Sequence, residues 1–381
     1  MVLAFTAAQI PGISGRRYPP ALAGALYPEG IPIIDEVQLD AFCRDQRIDE
    51  VVFAYSDVSH EQVMHLGSRA LATGASFTLL GPRCTMLESS LPVIAITAVR
   101  TGCGKSAIAR WLSLRMRERG RRVAVLRHPM PYGDLLKERV QRFASLADLA
   151  AASCTVEERE EYEPHIAAGN LVFAGVDAFR PRQIATHRPG ETVARMADVL
   201  VVNKVDTASP EGIEIATRGF WVVNPSAPIL RAASPMRLDD VAAVKGRRVL
   251  VIEDGPTITH GGMAYGAGHV GATAAGAAEI VDPRLSAVPA IQAVFRAYPH
   301  IGMVLPAVGY GPAQLQALSE TINASSAAVV VSATPIDLPR LIHTEKRIVR
   351  ARYEFAEAGE PGLAAAIDEF LRQLSESQGP G

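Results

Sequence analysis

Short apolar runs alternate with helix-like stretches along the whole chain, a pattern that predicts parallel α/β structure. In the first region, residues 1–88, apolar runs at 51–55 and 78–82 predict strands on either side of a helix over 61–73. A further strand predicted at 2–5 has no strand or Gly-rich turn before it. A Rossmann-like domain normally opens with both, so this domain is expected to be incomplete.

The second region, residues 89–235, contains strands predicted at 93–97, 123–126 and 199–202. These runs are apolar throughout, as expected of central strands in a parallel sheet. Between the first two, residues 106–119 have helical periodicity and end in basic residues before a glycine.

The third region, residues 236–381, begins another cycle, with strands predicted at 248–253 and 327–332. An amphipathic helix is predicted over 363–374. The expected architecture is a central domain between the incomplete amino-terminal domain and a carboxy-terminal α/β part.

Charge and cysteine content narrow the classes of partner. Of 381 residues, 38 are Lys or Arg and 40 are Asp or Glu, so no strong field predicts nucleic acid or a membrane as partner. We expect the binding partner to be a phosphorylated small molecule. A homo-oligomer is also compatible with this composition. The four cysteines are scattered, no apolar run is long enough to cross a membrane, and no secretion leader is recognisable. The expected location is the cytoplasm.

The strongest motif is the segment from Arg100 to Ser106, which lies between a predicted strand and a predicted helix. In a P-loop, backbone N–H groups and a Lys hold phosphates while the Ser hydroxyl binds Mg²⁺. The first glycine of the usual pattern is replaced by Val99, and Arg100 stands where SIMIBI-like proteins carry an extra signature Lys. An ordinary glycine turn is the alternative. The predicted nucleotide ligands are Thr101, Gly102, Cys103, Gly104, Lys105 and Ser106, with Ser106 as the metal ligand and Cys103 more typical of a structural thiol.

A second motif, Asn203-Lys204-Val205-Asp206, directly follows the strand predicted at 199–202. N-K-x-D reads guanine in GTPases: Asp206 can accept two hydrogen bonds from the base, Asn203 can also bond it, and the Lys204 stem can cover its face. A plain loop is the alternative, and the motif alone leaves the choice between ATP and GTP open.

A third candidate is the loop after the strand at 123–126, because ligands bind at the carboxyl ends of parallel strands. Arg127 and His128 are predicted phosphate contacts, and Asp134 is a predicted metal or acid/base residue. A solvated turn is the alternative.

A fourth candidate is the Gly-rich stretch after the strand at 248–253. Asp254, next to a second carboxylate on Glu253, is a predicted substrate contact together with His260 and Tyr265, and Arg284 could add a cation. Such a mouth suits an anionic substrate or a metal. The glycines could equally serve close helix packing.

The combined motifs resemble the cyclic 2,3-diphosphoglycerate synthetases, a family also described as predicted P-loop GTPases. The sequence segments that carry the resemblance are residues 5–12, 53–60, 98–106, 127–135, 158–165 and 253–257. The resemblance implies ATP-driven closure of 2,3-diphosphoglycerate into an intramolecular phosphoanhydride. It implies that Lys105, Arg100, Arg127 and Mg²⁺ on Ser106 neutralise the phosphates.

The chain departs from that family by lacking a block with a Walker B-like strand between Asp177 and Pro189. A Walker B Asp normally helps to hold Mg²⁺. Two alternatives to the synthetase therefore stay open. One is a GTP-binding switch or GTPase (hydrolase) regulator, and the other is a relative that binds nucleotide without turning it over.

Overall fold

The computed structural model describes residues 1–8, 10, 13–86, 89–126, 134–138, 143, 145–152, 154, 176–177, 187–259, 261–308 and 312–377. Over these ranges the chain is a mixed α/β protein with several separate sheets that contain parallel strands. None of the helices in the described ranges is long and apolar enough to span a membrane.

The amino-terminal region forms two small sheets. Its elements are β1 (Phe5–Thr6), β2 (Arg17–Tyr18), α1 (Pro20–Ala23), β3 (Ile31–Ile34), α2 (Leu39–Asp45), β4 (Glu50–Phe53), β5 (Val58–Ser59), α3 (His60–Ala72) and β6 (Ser76–Leu79). Strands β4 and β6 are parallel, with α3 between them in sequence, which confirms the predicted strand–helix–strand unit. A capping box of Ser59 and Gln62 fixes the start of α3. The strand predicted at 2–5 reduces to the two residues of β1, which pair with β3.

The central region contains a four-stranded sheet with the order β17-β10-β9-β7. The elements are α4 (Lys105–Glu118), α5 (Leu135–Glu138), α6 (Leu146–Ala151), β7 (Val176–Asp177), β8 (His187–Arg188), α7 (Gly190–Met196), β9 (Leu200–Asn203), α8 (Pro210–Val223), β10 (Ile229–Ala233) and, from the far end of the chain, β17 (Ala356–Glu357). Strands β7, β9 and β10 are parallel, and β9 is fully buried.

Residues 93–97 and 123–126 do not form the predicted strands, because neither segment has ladder hydrogen bonds. Ile94 and Ile96 are nevertheless buried against Ile108 and Leu112 of α4. An apolar pattern alone does not establish a strand, because a strand also needs a partner backbone, which the pattern does not specify.

The third region has a six-stranded sheet with the order β11-β16-β15-β12-β13, and β14 also pairs with β12. The elements are β11 (Met236–Leu238), α9 (Val241–Val244), β12 (Arg248–Glu253), α10 (Gly255–Ile258), α11 (Ala267–Ala274), β13 (Glu279–Ile280), α12 (Pro289–Ala297), β14 (Leu305–Pro306), α13 (Pro312–Ala324), β15 (Val329–Ser332), β16 (Arg347–Tyr353) and α14 (Leu363–Ser377). The predicted strands at 248–253 and 327–332 and the closing helix are confirmed.

The end of the chain returns to the central region. Strand β17 pairs antiparallel with β10, and Leu363 and Ile367 of α14 lie in the same buried cluster as Ile108 of α4. The ring centroids of Trp111 and Phe355 lie 4.9 Å apart where the two regions meet. The helix predicted from the third region thus completes the core of the second, because its apolar stripe is buried there.

Two of the parallel sheets end at the same place. In the central sheet Val202 of β9 pairs with Arg231 of β10, and in the third sheet Ile252 of β12 pairs with Ser332 of β15. Only two residues, 234 and 235, connect β10 to β11 of the other sheet. The short link keeps the carboxyl ends of both sheets close, which is where open α/β sheets bind ligands.

Candidate functional site

The Gly-rich turn before α4 has the backbone geometry that its glycines predict. Gly102 and Gly104 have φ angles of 83° and 95°, in the left-handed region that favours glycine. A Cβ on Gly104 would lie 2.3 Å from Nδ2 of Asn203, so no larger residue fits there without displacing it. Helix α4 begins at Lys105, and no side chain caps its amino terminus. An uncapped helix start behind a glycine turn is suited to an anion.

The Asn203–Asp206 segment braces this turn from the end of β9. Asn203 is 1% exposed, and its Nδ2 donates a hydrogen bond of 3.0 Å to the Cys103 carbonyl oxygen. Lys204, with a φ of 63°, donates from Nζ to the Gly102 carbonyl oxygen at 2.9 Å. Asp206 Oδ1 accepts from the Ser234 backbone N–H at 2.9 Å, which ties the ends of β9 and β10 together. These contacts hold the turn and the loop after β9 as one unit.

Arg100 is bound to the amino-terminal region. Its Nε lies 2.6 Å from Oδ1 of Asp57, and the two side chains are only 12% and 18% exposed. Burial tends to raise the pKa of Asp57, but the Arg100 charge and hydrogen bonds from Thr101 and Arg100 outweigh it, so the pKa is lowered. Beside this pair, β5 forms an antiparallel ladder with β8. The amino-terminal region therefore holds the first residue of the Gly-rich turn.

One cavity of about 330 Å³ joins the Gly-rich turn to the third region. That volume lies at the lower end of the range typical of small-molecule sites. Eight of the predicted site residues line it together: Thr101, Gly102, Gly104, Lys105, Ser106, Lys204, Asp254 and Tyr265. The structure thus brings two motifs about 150 positions apart in sequence to one space, at the shared carboxyl end of the two sheets.

The wall opposite the turn is built around Glu253, the last residue of β12. Its carboxylate accepts backbone N–H bonds from Gly266 (3.0 Å), His269 (2.8 Å) and Gly268 (3.3 Å), at the start of α11. Burial raises the pKa of Glu253 from 4.5 to about 7, although those three bonds favour the charged form. Asp254, next along the chain, accepts from the Thr257 hydroxyl at the cavity surface.

Two further predicted substrate residues have different surroundings. The Tyr265 ring lines the cavity and lies 4.7 Å from the His269 ring, whose pKa is lowered by burial. Arg284 does not line the cavity. Its guanidinium lies over the Phe295 ring, 4.3 Å from the centroid, and donates to the Gly302 carbonyl oxygen at 2.9 Å. The structure therefore gives Arg284 a packing role away from this space.

Two further predicted residues, Cys103 and Asp134, do not line the cavity. Cys103 is 1% exposed within the turn. Asp134 is exposed, and its Oδ1 accepts the backbone N–H of residue 136 at 2.9 Å, at the start of α5. Arg127, His128 and His260 lie outside the described residues. Among the residues that are described, no group of three or more His, Cys, Asp or Glu could hold a metal ion.

Sequence comparison identifies a close relative for nearly the whole chain. The protein named arginine synthetase ArcE, from Thermococcus kodakarensis, is 49% identical over 412 aligned residues, covering 98% of this chain and 92% of the relative. The chain belongs to the family of this arginine synthetase. No family model matches the chain. The aligned length exceeds the 381 residues of the chain, so the relative carries residues that have no counterpart here.

This relationship corrects the narrower family prediction in part. A synthetase is the class expected from the motifs, and the relative bears that name. Its name refers to arginine, however, and not to cyclic 2,3-diphosphoglycerate. The segments at residues 98–106 and 253–257 therefore belong to a chain whose family includes a protein named arginine synthetase.

Sequence reasoning missed several residues of the cavity wall. Thr207, Met236 and Tyr353 line it but belong to no motif. Two of them follow directly from topology, since Met236 begins β11 and Tyr353 ends β16. Their signal was their position at a strand end, which could be recognised only once the order of the strands was known. Asp57 lies in the segment 53–60 that carries the family resemblance, but its bond to Arg100 depends on tertiary structure.

Proposed function

We propose that this chain is a nucleoside-triphosphate-dependent synthetase with a SIMIBI-like P-loop domain, and that its product is arginine or a closely related guanidino acid. The main support for the proposal is the shared cavity. One of its walls suits a triphosphate, and the other contains carboxylates. Membership of the arginine synthetase family supports the product class.

At the nucleotide end, backbone N–H groups of the glycine turn and the Lys105 ammonium hold the β and γ phosphates. The start of α4 has no side-chain cap, which fits an anion as its partner. The Ser106 hydroxyl lies at the same surface and would hold Mg²⁺ together with phosphate oxygens and water. That ion would neutralise charge on the transferred phosphoryl group.

At the substrate end, charge favours a cationic or neutral acceptor over a polyanion. The start of α11 is also a helix amino terminus at the cavity, but its N–H groups already bind the Glu253 carboxylate. They are consequently occupied and do not offer a second phosphate site. Asp254 adds a further carboxylate at the surface. A guanidinium or ureido group pairs well with a carboxylate, whereas a bisphosphate is repelled by it.

The reaction proposed has two transfers. An oxygen of the acceptor attacks the γ-phosphorus, and the bond to the nucleoside diphosphate breaks. A nitrogen nucleophile then attacks the activated carbon, and the C–O bond breaks so that this oxygen leaves in inorganic phosphate. Both transfers depend on in-line positioning and charge neutralisation, for which the cavity lined by Lys105, Ser106 and Asp254 provides the groups.

Closure of 2,3-diphosphoglycerate is the second candidate. It is favoured by the sequence words at 127–135 and 253–257. It shares the first transfer, after which the second substrate phosphate would displace the activating group. The nucleobase stays open between adenine and guanine, and a GTP-binding switch is the rival from a different class because of the Asn203–Asp206 motif.

The decisive experiment measures binding and turnover with matched ligands. Calorimetry with Mg²⁺ and ADP or GDP present should show arginine binding, with lysine as a control of equal charge that lacks the guanidinium fork. Adding arginine, nucleoside diphosphate and phosphate should generate nucleoside triphosphate by the reverse reaction. Lys105→Ala should abolish this turnover, and Asp254→Asn should weaken arginine binding by about tenfold or more.

Three other outcomes would redirect the assignment. Binding of 2,3-diphosphoglycerate but not arginine, together with ATP, would favour the second candidate. Stabilisation by GTP with no response to either substrate would favour the switch. Tight binding of nucleotide and arginine without turnover in either direction would identify a relative that has lost catalysis.

A further inference from the structure

The nucleotide end of the cavity has a wall that comes from the third region. Tyr353, the last residue of β16, lines the cavity together with Ala107 of α4 and Lys204 of the loop after β9. Tyr353 therefore shares this cavity with the phosphate-binding turn. None of the sequence motifs includes this tyrosine.

The position of Tyr353 is fixed by several contacts. It pairs with Met236 of β11, directly after the two-residue link from β10. Its carbonyl oxygen accepts a hydrogen bond of 3.5 Å from Arg110, on α4, and the Glu354 backbone N–H donates to the Pro235 carbonyl oxygen at 3.2 Å. The end of β16 is therefore attached both to the helix that begins at Lys105 and to the loop after β10.

On the other side, the Lys204 side chain is held in one place. Its Nζ donates to the Gly102 carbonyl oxygen, so the aliphatic stem extends from the end of β9 to the Gly-rich turn. Asp206, two residues on, binds the Ser234 backbone N–H. The Lys204 stem and the Tyr353 ring thus belong to walls of the same cavity that come from different sheets.

We propose that Tyr353 is the stacking platform for the nucleobase, with the Lys204 stem on the other face of the base. The inference rests on the proposed nucleotide-binding function and adds that the third region supplies part of the nucleotide site. An aromatic ring stacks on any base, so Tyr353 contributes affinity without selecting between adenine and guanine. Discrimination between the two belongs to groups at the base edge.

The test uses calorimetry on the full chain with three ligands, each with Mg²⁺: ATP, GTP and inorganic tripolyphosphate, which has phosphates but no base. Tyr353→Ala should weaken binding of whichever nucleotides bind by about tenfold or more. Its affinity for tripolyphosphate should stay within about twofold of wild type. Tyr353→Phe keeps the ring and should bind nucleotide almost normally. Trp221→Ala, which removes an exposed ring that does not line this cavity, should leave nucleotide affinity unchanged.

Each remaining outcome overturns the proposal in a recognisable way. Unchanged nucleotide affinity in Tyr353→Ala would place the base elsewhere. Equal losses for nucleotide and tripolyphosphate would show that Tyr353 supports the fold of the turn and does not stack. A change in the ratio of ATP to GTP affinity would make it a base-selecting residue. If wild-type protein binds neither nucleotide nor tripolyphosphate, the proposed function itself fails, and the platform fails with it.

Discussion

Replacing Gly104 by alanine should damage both stability and nucleotide binding, because two separate constraints meet at this residue. Its φ of 95° lies in the left-handed region. In addition, a new Cβ would stand 2.3 Å from Nδ2 of Asn203, which is far inside van der Waals contact. Asn203 is buried and donates to the Cys103 carbonyl oxygen, so it cannot move away without losing that bond.

The two constraints can be assigned separate magnitudes. Left-handed backbone costs alanine about 1–2 kcal/mol. Displacing Asn203 breaks a buried hydrogen bond and costs about 1–3 kcal/mol more. The matched control is Gly120→Ala, after the other end of the same helix. Gly120 has a φ of 70°, but nothing lies within 4 Å of its added Cβ. Only the backbone cost of about 1–2 kcal/mol applies there.

Urea titration should therefore give a free energy of unfolding that is lower by about 2–5 kcal/mol for Gly104→Ala. The extra loss relative to Gly120→Ala measures the close approach to Asn203. Calorimetry with Mg²⁺ and nucleotide should show at least about a tenfold loss of affinity for Gly104→Ala and none for Gly120→Ala. Equal destabilisation in the two variants, or normal nucleotide affinity in Gly104→Ala, would refute the geometry described for the turn.

Three further expectations concern charge and exposure. The Glu253 carboxyl has a folded pKa of about 7 against 4.5 when unfolded, so its contribution to stability is full below pH 4.5 and is lost as pH rises towards 7. Between pH 4 and pH 8, the free energy of unfolding should therefore fall by about 3 kcal/mol more in wild type than in Glu253→Gln, as measured by urea titration. Parallel pH profiles of the two proteins would contradict this. Asp57→Asn should cost about 1–3 kcal/mol at pH 7 by removing the partner of a mostly buried guanidinium, against less than about 1 kcal/mol for the more exposed Asp40→Asn; equal costs in thermal unfolding would count against the pair. Ellman's reagent should modify exposed Cys84 rapidly and buried Cys103 slowly, more slowly still with Mg²⁺ and nucleotide; rapid modification of Cys103 would show that the turn is open.

Local signals in the sequence were sufficient for the elements that carry them. The apolar run at 248–253 is the observed strand, and the glycine and basic residues after α4 correctly predicted its end. The Gly-rich turn could likewise be predicted from residue order, because Gly102 and Gly104 adopt the left-handed backbone that favours glycine. These features depend on neighbours within a few positions, which is the range that periodicity reports.

Features that depend on distant contacts could not be predicted. No pattern indicates that Arg100 binds Asp57, that α14 packs on α4, or that Tyr353 reaches the cavity. The apolar run at 93–97 was wrongly predicted to be a strand, since Ile94 and Ile96 are buried although the backbone has no ladder partner. From the Gly-rich stretch, the ligand of this site was predicted to be an anionic substrate or a metal. The hydrogen bonds of Glu253, which argue for a cationic or neutral acceptor, appear only in the folded chain.

The most direct test of the account is a crystal structure of the chain with Mg²⁺ and a non-hydrolysable nucleoside triphosphate. We predict β and γ phosphates on the backbone N–H groups of the glycine turn and on Lys105, with the ion at Ser106. The γ-phosphate should face the cavity that Asp254 lines on its opposite wall. A triphosphate bound elsewhere, or a turn that stays closed by its own side chains in the presence of saturating nucleotide, would contradict the account.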